Sequence, residues 1–407
     1  AVDTFRNVLK YGELVNKADQ IPDVMRRAFH QLRNGRPGPV MIELPSDVGA
    51  SEINIDIDSY HSPTKSTQLP SISSIKDTVS ALLKAKNPII WSGMGVLFSQ
   101  STEELKELAE LLSLPVYTSM PGKSGFDETH PLSLGAGSGA TTAAAVKWLD
   151  ESDLILALGT SLTRTPYART IPDGKTIIHN VVSVEDINKD YNVEISLPGD
   201  TKETIKLLID EIKSQVGDKG KQRPEVIKEI QSVKSKWLEQ WLPILTDDEG
   251  PINPYRLIWE LDQTVDKTQS VVTHDAGAPR DMMVPFYNAT TPHGYVGWGK
   301  TTHLGFGIPL MIGVKKAFPE KFCVNFMGDG AFGMSGLDIE TSVRSNLPIT
   351  TILLNNGGMA TYPGGFPTAR EVYGVSHMFG EYWKIAEGMG ATGIKITKPS
   401  EIKPALL

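Results

Sequence analysis

The alternation of apolar and polar stretches is most regular between residues 321 and 358. The apolar run 321–327 predicts a buried strand, and residues 332–346 predict a helix that a Leu-Pro pair ends. Residues 349–354 are apolar and rich in β-branched side chains, so they predict a second buried strand. Strand, tight turn, helix and strand together predict a right-handed βαβ unit. The apolar positions of its helix include Leu337, Ile339 and Val343.

Polar residues follow both predicted strands. Gly328, Asp329 and Gly330 come directly after the first strand, and Asn355 and Asn356 come directly after the second. Parallel strands end at the same edge of a sheet, where open α/β folds bind their ligands. Paired glycines let the backbone approach a phosphate, and the next helix offers free N–H groups. The carboxylate and amide oxygens suit Mg²⁺ that is shared with phosphate oxygens.

The two polar clusters at this spacing resemble the signature of thiamine-diphosphate-dependent enzymes. The segment AFGMSGLDIETSVRSNLPI followed by NNGG is similar to oxalyl-CoA decarboxylase and 2-hydroxyacyl-CoA lyase, whereas the general domain order resembles acetolactate synthase. The resemblance implies that Asp329, Asn356 and the Gly358 carbonyl hold Mg²⁺. It also implies that Gly330 and Ala331 present N–H groups to the diphosphate. The cofactor-binding residues expected on this basis are Gly277, Leu304, Gly328, Asp329, Gly330, Ala331, Asn356, Gly358 and Met359.

Two further loops complete this expected site. The predicted strand 270–273 is followed by His274-Asp275-Ala276-Gly277, which matches the D-x-G of the family and is expected to hold the far side of the diphosphate. A glycine-rich stretch, 294–309, contains Leu304 where the family has the bulky apolar residue that supports the bent form of thiamine. An ordinary core leucine is the alternative for Leu304. His303 and His274 are the candidate catalytic residues, with Lys300 near the expected substrate space; a histidine at a strand end is also commonly structural.

Residues 71–215 alternate between helical and strand patterns and predict another doubly wound parallel sheet. This order resembles the family's central domain, which holds FAD or ADP in some members. Gly93 and Gly95 form only a G-x-G pattern, which is weak evidence for a nucleotide and common in plain turns. Arg164 and Arg169 can meet a phosphate or form surface ion pairs, and bound FAD is doubtful. His130 and the Gly135–Gly137 stretch resemble a family loop that runs toward the active site, although His130 can equally cap local backbone.

The predicted organisation is α/β throughout, with two doubly wound parallel-sheet domains preceded by the tail of a third. Residues 1–60 are expected to hold the tail of an N-terminal pyrimidine-binding domain and a linker, because GRPGPVMIELPSD resembles the end of that domain. The central Rossmann-like domain follows at 61–215, a charged linker at 216–250, and a C-terminally truncated cofactor-binding domain at 251–407. Trp237 and Trp241 in the linker are predicted to share a helix face that packs on a neighbouring domain. The activating glutamate of the family is expected in the absent part, so the chain alone is expected to be inactive.

Composition narrows the partners. The 407 residues carry a net charge of −8, which argues against nucleic acid or an anionic membrane as a partner. The single cysteine, Cys323, lies in a predicted buried strand, so an internal disulfide is not possible. We therefore expect a reducing compartment and a cytoplasmic location. A homodimer or homotetramer that acts on a small molecule is expected.

The sequence therefore predicts a thiamine-diphosphate- and Mg²⁺-dependent lyase or carboligase that acts on a 2-oxo acid, similar to acetolactate synthase. Two alternatives remain. One is an enzyme like 2-hydroxyacyl-CoA lyase or oxalyl-CoA decarboxylase, and the other is a non-catalytic relative that keeps only the fold.

Overall fold

A computed structural model of the protein describes residues 1–298, 303–358, 366–375 and 377–407. Within these ranges twelve strands form three parallel sheets. In chain order the strands are β1 Tyr11–Leu14, β2 Val40–Glu43, β3 Pro88–Ser92, β4 Val116–Ser119, β5 Ser133–Gly137, β6 Leu154–Leu158, β7 Thr176–Val181, β8 Ile195–Pro198, β9 Ser270–His274, β10 Tyr295–Val296, β11 Phe322–Gly328 and β12 Thr350–Leu354. The predicted α/β class with parallel sheets is confirmed.

Helices cover the sheets. They are Val2–Phe5, Ile21–Arg33, Ser46–Gly49, Ile72–Lys84, Met94–Phe98, Thr102–Leu112, Ala143–Glu151, Thr201–Val216, Pro224–Leu245, Pro254–Thr264, Ala278–Phe286, Gly307–Ala317, Asp329–Ser335, Asp338–Arg344, Pro367–Tyr373, Tyr382–Gly388 and Ile402–Leu406. Several begin at a side-chain cap: Ser71 accepts from the Ser74 amide and Thr142 from the Ala145 amide, each at 3.1 Å. In the described part of the chain, none of these helices combines the length and the apolar character needed to cross a bilayer.

The six-stranded sheet runs β5-β4-β3-β6-β7-β8, so the chain winds outward from β3 in both directions. This is the order of dinucleotide-binding folds, with a topological switch point between β3 and β6. Every residue of β3, β5 and β6 is buried, as expected of a parallel sheet covered on both faces.

Two strands of this sheet, β5 and β8, do not follow from the sequence pattern. The stretch Gly135–Gly137, predicted as a loop that runs toward the active site, belongs instead to the buried edge strand β5. Glycine is needed there because a Cβ on Gly137 would overlap the Tyr117 hydroxyl, at 1.4 Å. The loop prediction was wrong, since these glycines permit close packing of β5 on β4.

The N-terminal segment contains one strand that the pattern did not predict. Strand β1 pairs in parallel with β2, and helix Ile21–Arg33 packs on both. A small apolar cluster lies beneath them, formed by Val15, Ala18, Val24 and Val48.

The helix Pro224–Leu245 joins the central region to the C-terminal sheet. Trp237 stacks on Phe286 with ring centroids 5.1 Å apart, and Trp241 contacts the same ring at 4.8 Å. The two tryptophans therefore share one face against the C-terminal region, as their four-residue spacing predicts.

A buried ion pair also ties the central and C-terminal regions together, and no sequence pattern pointed to it. The Lys123 ammonium pairs with the Glu128 carboxylate, and both side chains are at most 4% exposed. Lys123 also donates to the Val284 carbonyl at 3.1 Å, and Glu128 accepts from the Ala289 amide at 2.7 Å. Burial lowers the Lys123 pKa, and the adjacent Glu128 charge opposes that effect.

The four-stranded sheet runs β10-β9-β11-β12 and is parallel throughout. Strands β11 and β12 are neighbours, so the predicted βαβ connection is present. Its single predicted helix is not, because the chain forms Asp329–Ser335 and Asp338–Arg344 with a break at Gly336 and Leu337. Gly336 sits against the Phe332 ring, where a Cβ would lie 2.5 Å away. Leu337 is 78% exposed and Val343 is 41% exposed, so Ile339 is the buried one of these three apolar positions.

Candidate functional site

Three strand ends meet at one edge of the four-stranded sheet. Phe326 of β11 pairs with His274, the last residue of β9, and Gly328 of β11 pairs with Leu354, the last residue of β12. The segments that begin at Asp275, Asp329 and Asn355 therefore leave the sheet side by side. This register brings together the polar clusters that the sequence placed far apart.

Asp329 lies at the centre of this edge and is only 2% exposed. Its Oδ1 accepts a hydrogen bond from the Gly330 amide at 2.8 Å, and its Oδ2 accepts from the Gly357 amide at 2.9 Å. The second bond fixes the loop after β12 directly over the carboxylate. The first engages an amide that was expected to face a diphosphate, so that amide must change partner if it binds one.

The loop after β12 carries the remaining oxygen donors. Asn356 Oδ1 accepts from the Gly358 amide at 3.2 Å, and Gly358 forms an isolated antiparallel bridge with His377. Gly357 has a φ of +68°, a left-handed conformation that favours glycine. An open groove runs beside this loop and is lined by Asn355, Asn356, Gly357, Met378, Phe379, Gly380 and Glu381. Met359, a predicted cofactor-binding residue, lies outside the described residues, as does Lys300.

Two glycines leave room at the strand ends. A Cβ built on Gly277 or on Gly328 would meet no atom within 4 Å among the described residues, so space is open beside both backbones. Gly277 also has a φ of +82°, which restricts the position to glycine on conformational grounds. Ala331 is buried one turn further on, in helix Asp329–Ser335.

The segment 303–307 packs between the end of β9 and helix Asp329–Ser335. Asp275 Oδ1 accepts from the Gly305 amide at 3.0 Å, and Oδ2 accepts from the Gly307 amide at 2.9 Å. Leu304 is half-buried against the apolar cluster that contains Met327 and Ala331. The structure thus brings Leu304 beside the Asp329 turn.

The two candidate catalytic histidines have opposite surroundings. His303 is exposed, whereas His274 is fully buried between the rings of Trp298 and Tyr295. His274 Nδ1 lies 3.0 Å from the Asp275 carbonyl, which can only accept, so Nδ1 carries the proton. Burial lowers the pKa of His274 to about 4, so its imidazole is neutral near pH 7.

Two residues near the site had no signal in the sequence. Trp298 donates from Nε1 to the His274 carbonyl at 3.0 Å and packs on Phe306, with ring centroids 4.7 Å apart. Tyr382 packs edge-on against Phe332, and its pKa is raised by burial and by the nearby Asp329 charge. The Trp298–His274 and Phe332–Tyr382 contacts join segments distant in sequence, so local periodicity does not reveal them.

The switch point of the central sheet is closed by backbone. The Gly93 amide donates to the Leu158 carbonyl at 2.9 Å, and the Gly95 amide donates to the Gly159 carbonyl at 2.7 Å. A Cβ on Gly93 would lie 2.4 Å from the Gly159 carbonyl oxygen. The glycines thus allow two strand ends to touch, and their amides are already engaged where a pyrophosphate would need them.

The other central-domain candidates have partners within the chain. Arg169 forms an ion pair with Asp150 at 3.1 Å, and Arg164 stacks over the Tyr191 ring. His130 accepts from the Leu132 amide at 3.2 Å and lies 3.1 Å from the Glu110 carboxylate. These are the local roles that the sequence had left open beside the functional ones.

Comparison with known proteins identifies the fold and its cofactor. Residues 75–208 match the profile of the thiamine pyrophosphate enzyme central domain, and residues 275–407 match that of the C-terminal TPP binding domain. The chain is 31% identical, over its whole length, to a probable acetolactate synthase large subunit of Methanococcus aeolicus, and spans 70% of it. The chain belongs to the thiamine pyrophosphate enzyme family.

Other members of the family are similar over nearly the whole chain. A probable acetolactate synthase large subunit of Methanocaldococcus jannaschii is 29% identical over all of the chain and 70% of that protein. The acetolactate synthase isozyme 3 large subunit of Escherichia coli is 28% identical over 98% of the chain and 71% of its own length. The TPP binding profile begins at Asp275, so it contains the segments that follow all three strand ends.

Proposed function

We propose that this protein is a thiamine-diphosphate- and Mg²⁺-dependent enzyme, an acetolactate synthase-like lyase or carboligase that acts on a 2-oxo acid. The observation that carries the proposal is the hydrogen bond from the Gly357 amide to Asp329. It places the loop that contains Asn355 and Asn356 over a buried carboxylate, at the edge where three parallel strands end. Relatives named acetolactate synthase support the reaction class.

The residues present fit this cofactor. In the proposal Mg²⁺ takes the Asp329 carboxylate, the Asn356 amide oxygen and the Gly358 carbonyl, a set of hard oxygen donors of the kind this ion prefers. The open space beside Gly277 and Gly328 allows the backbone to approach a diphosphate. Gly330 and Ala331 offer amides at the start of a helix, where an anion is favoured.

Leu304 is proposed to support the ring system of thiamine in its bent form. Its half-buried position on the Met327 and Ala331 cluster sets it beside the proposed diphosphate end. When bound, the cofactor supplies a ring carbon that attacks a carbonyl and a cationic ring that accepts electrons as a C–C bond breaks. The chain's own contribution is to bind the metal, orient the rings and present an apolar surface beside them.

Partners and location also form part of the proposal. The relatives are named large subunits, which supports a smaller partner subunit for this protein as well. Self-association into a homodimer or homotetramer stays a prediction. The one cysteine, Cys323, is buried and unpaired, which fits the cytoplasmic location expected from the sequence.

The test is an assay of protein expressed from the complete gene, with thiamine diphosphate and Mg²⁺. We expect CO₂ release and carboligation from pyruvate or another 2-oxo acid, and no turnover by Asp329→Ala. Turnover of oxalyl-CoA or a 2-hydroxyacyl-CoA alone would move the assignment to those lyases. Cofactor binding without turnover of any of these substrates would indicate a non-catalytic relative.

A further inference from the structure

The Asp275 carboxylate is held by backbone N–H groups, two of which come from the segment that follows Leu304. The residue is fully buried, and its two oxygens accept three backbone N–H groups. Oδ1 accepts from Ala276 at 2.8 Å and from Gly305 at 3.0 Å, and Oδ2 accepts from Gly307 at 2.9 Å. Both oxygens are therefore engaged before any ligand arrives, and Oδ1 alone accepts two N–H groups, whereas each Asp329 oxygen accepts only one.

The three bonds determine the path of the Leu304 loop. Gly305 has a φ of +84° and lies against helix Asp329–Ser335, where a Cβ would be 3.0 Å from that of Met334. Gly307 is the first residue of helix Gly307–Ala317, and a Cβ there would meet Asn325 Oδ1 at 2.0 Å. Leu304 comes directly before Gly305, and the amides of Gly305 and Gly307 are both bonded to Asp275. These bonds therefore restrict where Leu304 can lie.

A second contact from the same strand end supports the loop independently. The His274 carbonyl accepts from Trp298 Nε1 at 3.0 Å, and the Trp298 ring packs on Phe306, with ring centroids 4.7 Å apart. Residues 305, 306 and 307 are thus each connected to the end of β9. The buried charge of Asp275 is stabilised by three N–H dipoles and by the start of an eleven-residue helix.

We propose that Asp275 is a positioning residue that fixes Leu304 beside the cofactor, and that it does not itself contact the diphosphate or the metal. This inference rests on the proposed function for the role of Leu304. It replaces the expectation that the whole D-x-G stretch grips the diphosphate, and leaves only Gly277 with open space for that contact.

The first experiment measures hydrogen exchange in the cofactor-free protein expressed from the complete gene. Asp275→Asn turns an amide N–H₂ toward one of the clamped amides, so exchange at Gly305 and Gly307 should become at least about ten-fold faster. Asp262→Asn is the matched control, since Asp262 is also buried but accepts from the Asn288 amide, at 2.7 Å, and not from Gly305 or Gly307. Unchanged protection of Gly305 and Gly307 in Asp275→Asn would overturn the proposal.

The second experiment separates positioning from direct contact with the cofactor. Asp275→Asn should lower kcat while changing cofactor affinity by a few-fold at most, and the double variant Asp275→Asn/Leu304→Ala should be no slower than the slower single variant. A loss of affinity as large as that of Asp329→Ala would show direct contact and overturn the proposal. Failure of the unmodified protein to bind the cofactor would instead refute the proposed function and leave the exchange result standing.

If Asp275→Asn does not fold, Trp298→Phe tests the same support, because it removes the Nε1 donor of the second contact and keeps an aromatic ring at that position. The exchange of the 303–307 loop should then rise while Gly357 keeps its protection. Equal loosening of both loops would contradict a role confined to Leu304.

Discussion

The Gly357 amide donates a 2.9 Å hydrogen bond to the Asp329 carboxylate, across two neighbouring strand ends. The bond closes the βαβ unit at its open edge and orients the loop that contains Asn356 and Gly358. A site for a metal and a diphosphate needs this preorganisation, because each donor must already face the same point.

The left-handed backbone of Gly357 is expected to matter for the cofactor. Gly357→Ala strains this loop by about 1–2 kcal/mol, and cofactor affinity should fall as the loop leaves Asp329. Gly217→Ala is the control, since Gly217 has a φ of +81° and open space but ends a helix of the central domain. Titration calorimetry of both variants checks the prediction, and equal affinities would contradict it.

Leu304 should affect turnover more than folding. Its side chain is half-buried, so Leu304→Ala removes little core packing but releases the support proposed for the bent cofactor. We expect kcat to fall by about 100-fold, the scale on which small misplacements of reacting groups act. Leu337→Ala, at a 78% exposed leucine, should leave kcat unchanged. Steady-state kinetics of the two variants tests the prediction. Equal kcat values for Leu304→Ala and Leu337→Ala would contradict the role proposed for Leu304.

Acid should weaken the C-terminal region through His274. Its pKa of about 4 in the folded protein lies below the ordinary 6.5, so the unfolded chain binds the proton first. The free energy of unfolding therefore contains about 3 kcal/mol from the neutral ring above pH 6.5. That contribution is lost as the pH falls from 6.5 towards 4. Denaturant unfolding at several pH values should show that slope, and His274→Gln should reduce it.

Exposed His303 provides the control for that experiment. His303→Gln should keep the pH dependence of the parent protein. If the stability of the parent protein does not change between pH 7 and pH 5, the role given to His274 in acid unfolding is contradicted.

The Lys123–Glu128 pair should hold the central and C-terminal regions together. Glu128→Gln leaves a buried ammonium without its counter-charge and should lower the free energy of unfolding by about 3–5 kcal/mol. Replacing both residues, as Lys123→Met/Glu128→Gln, should recover part of that loss because no uncompensated charge remains. Thermal unfolding of the three proteins provides the measurement, and a double variant less stable than Glu128→Gln would contradict the charge argument.

Local patterns were sufficient where the site is local in sequence. The Gly-Asp-Gly turn and the Asn-Asn pair lie on adjacent strands of one βαβ unit, so apolar periodicity was enough to place them together. The helix between them was harder, because the structure breaks it at Gly336, where the Phe332 ring packs against the backbone. That packing is invisible to a count of apolar positions.

Contacts across long stretches of chain were out of reach of the sequence. Asp275 bonds to Gly305 and Gly307, about thirty residues away, and a D-x-G pattern gives no hint that its carboxylate accepts from those amides. The Lys123–Glu128 pair looks like ordinary surface charge until two regions bury it. Gly137 resembled a loop glycine because its neighbour Tyr117 comes from another strand.

Calorimetric titration of thiamine diphosphate with Mg²⁺ into the protein expressed from the complete gene tests the central claim most directly. We predict saturable binding that depends on Mg²⁺, that Asp329→Ala abolishes, and that Asp338→Ala, at an acid in the following helix, leaves intact. Equal affinity with and without the Asp329 carboxylate would contradict the assignment of this site.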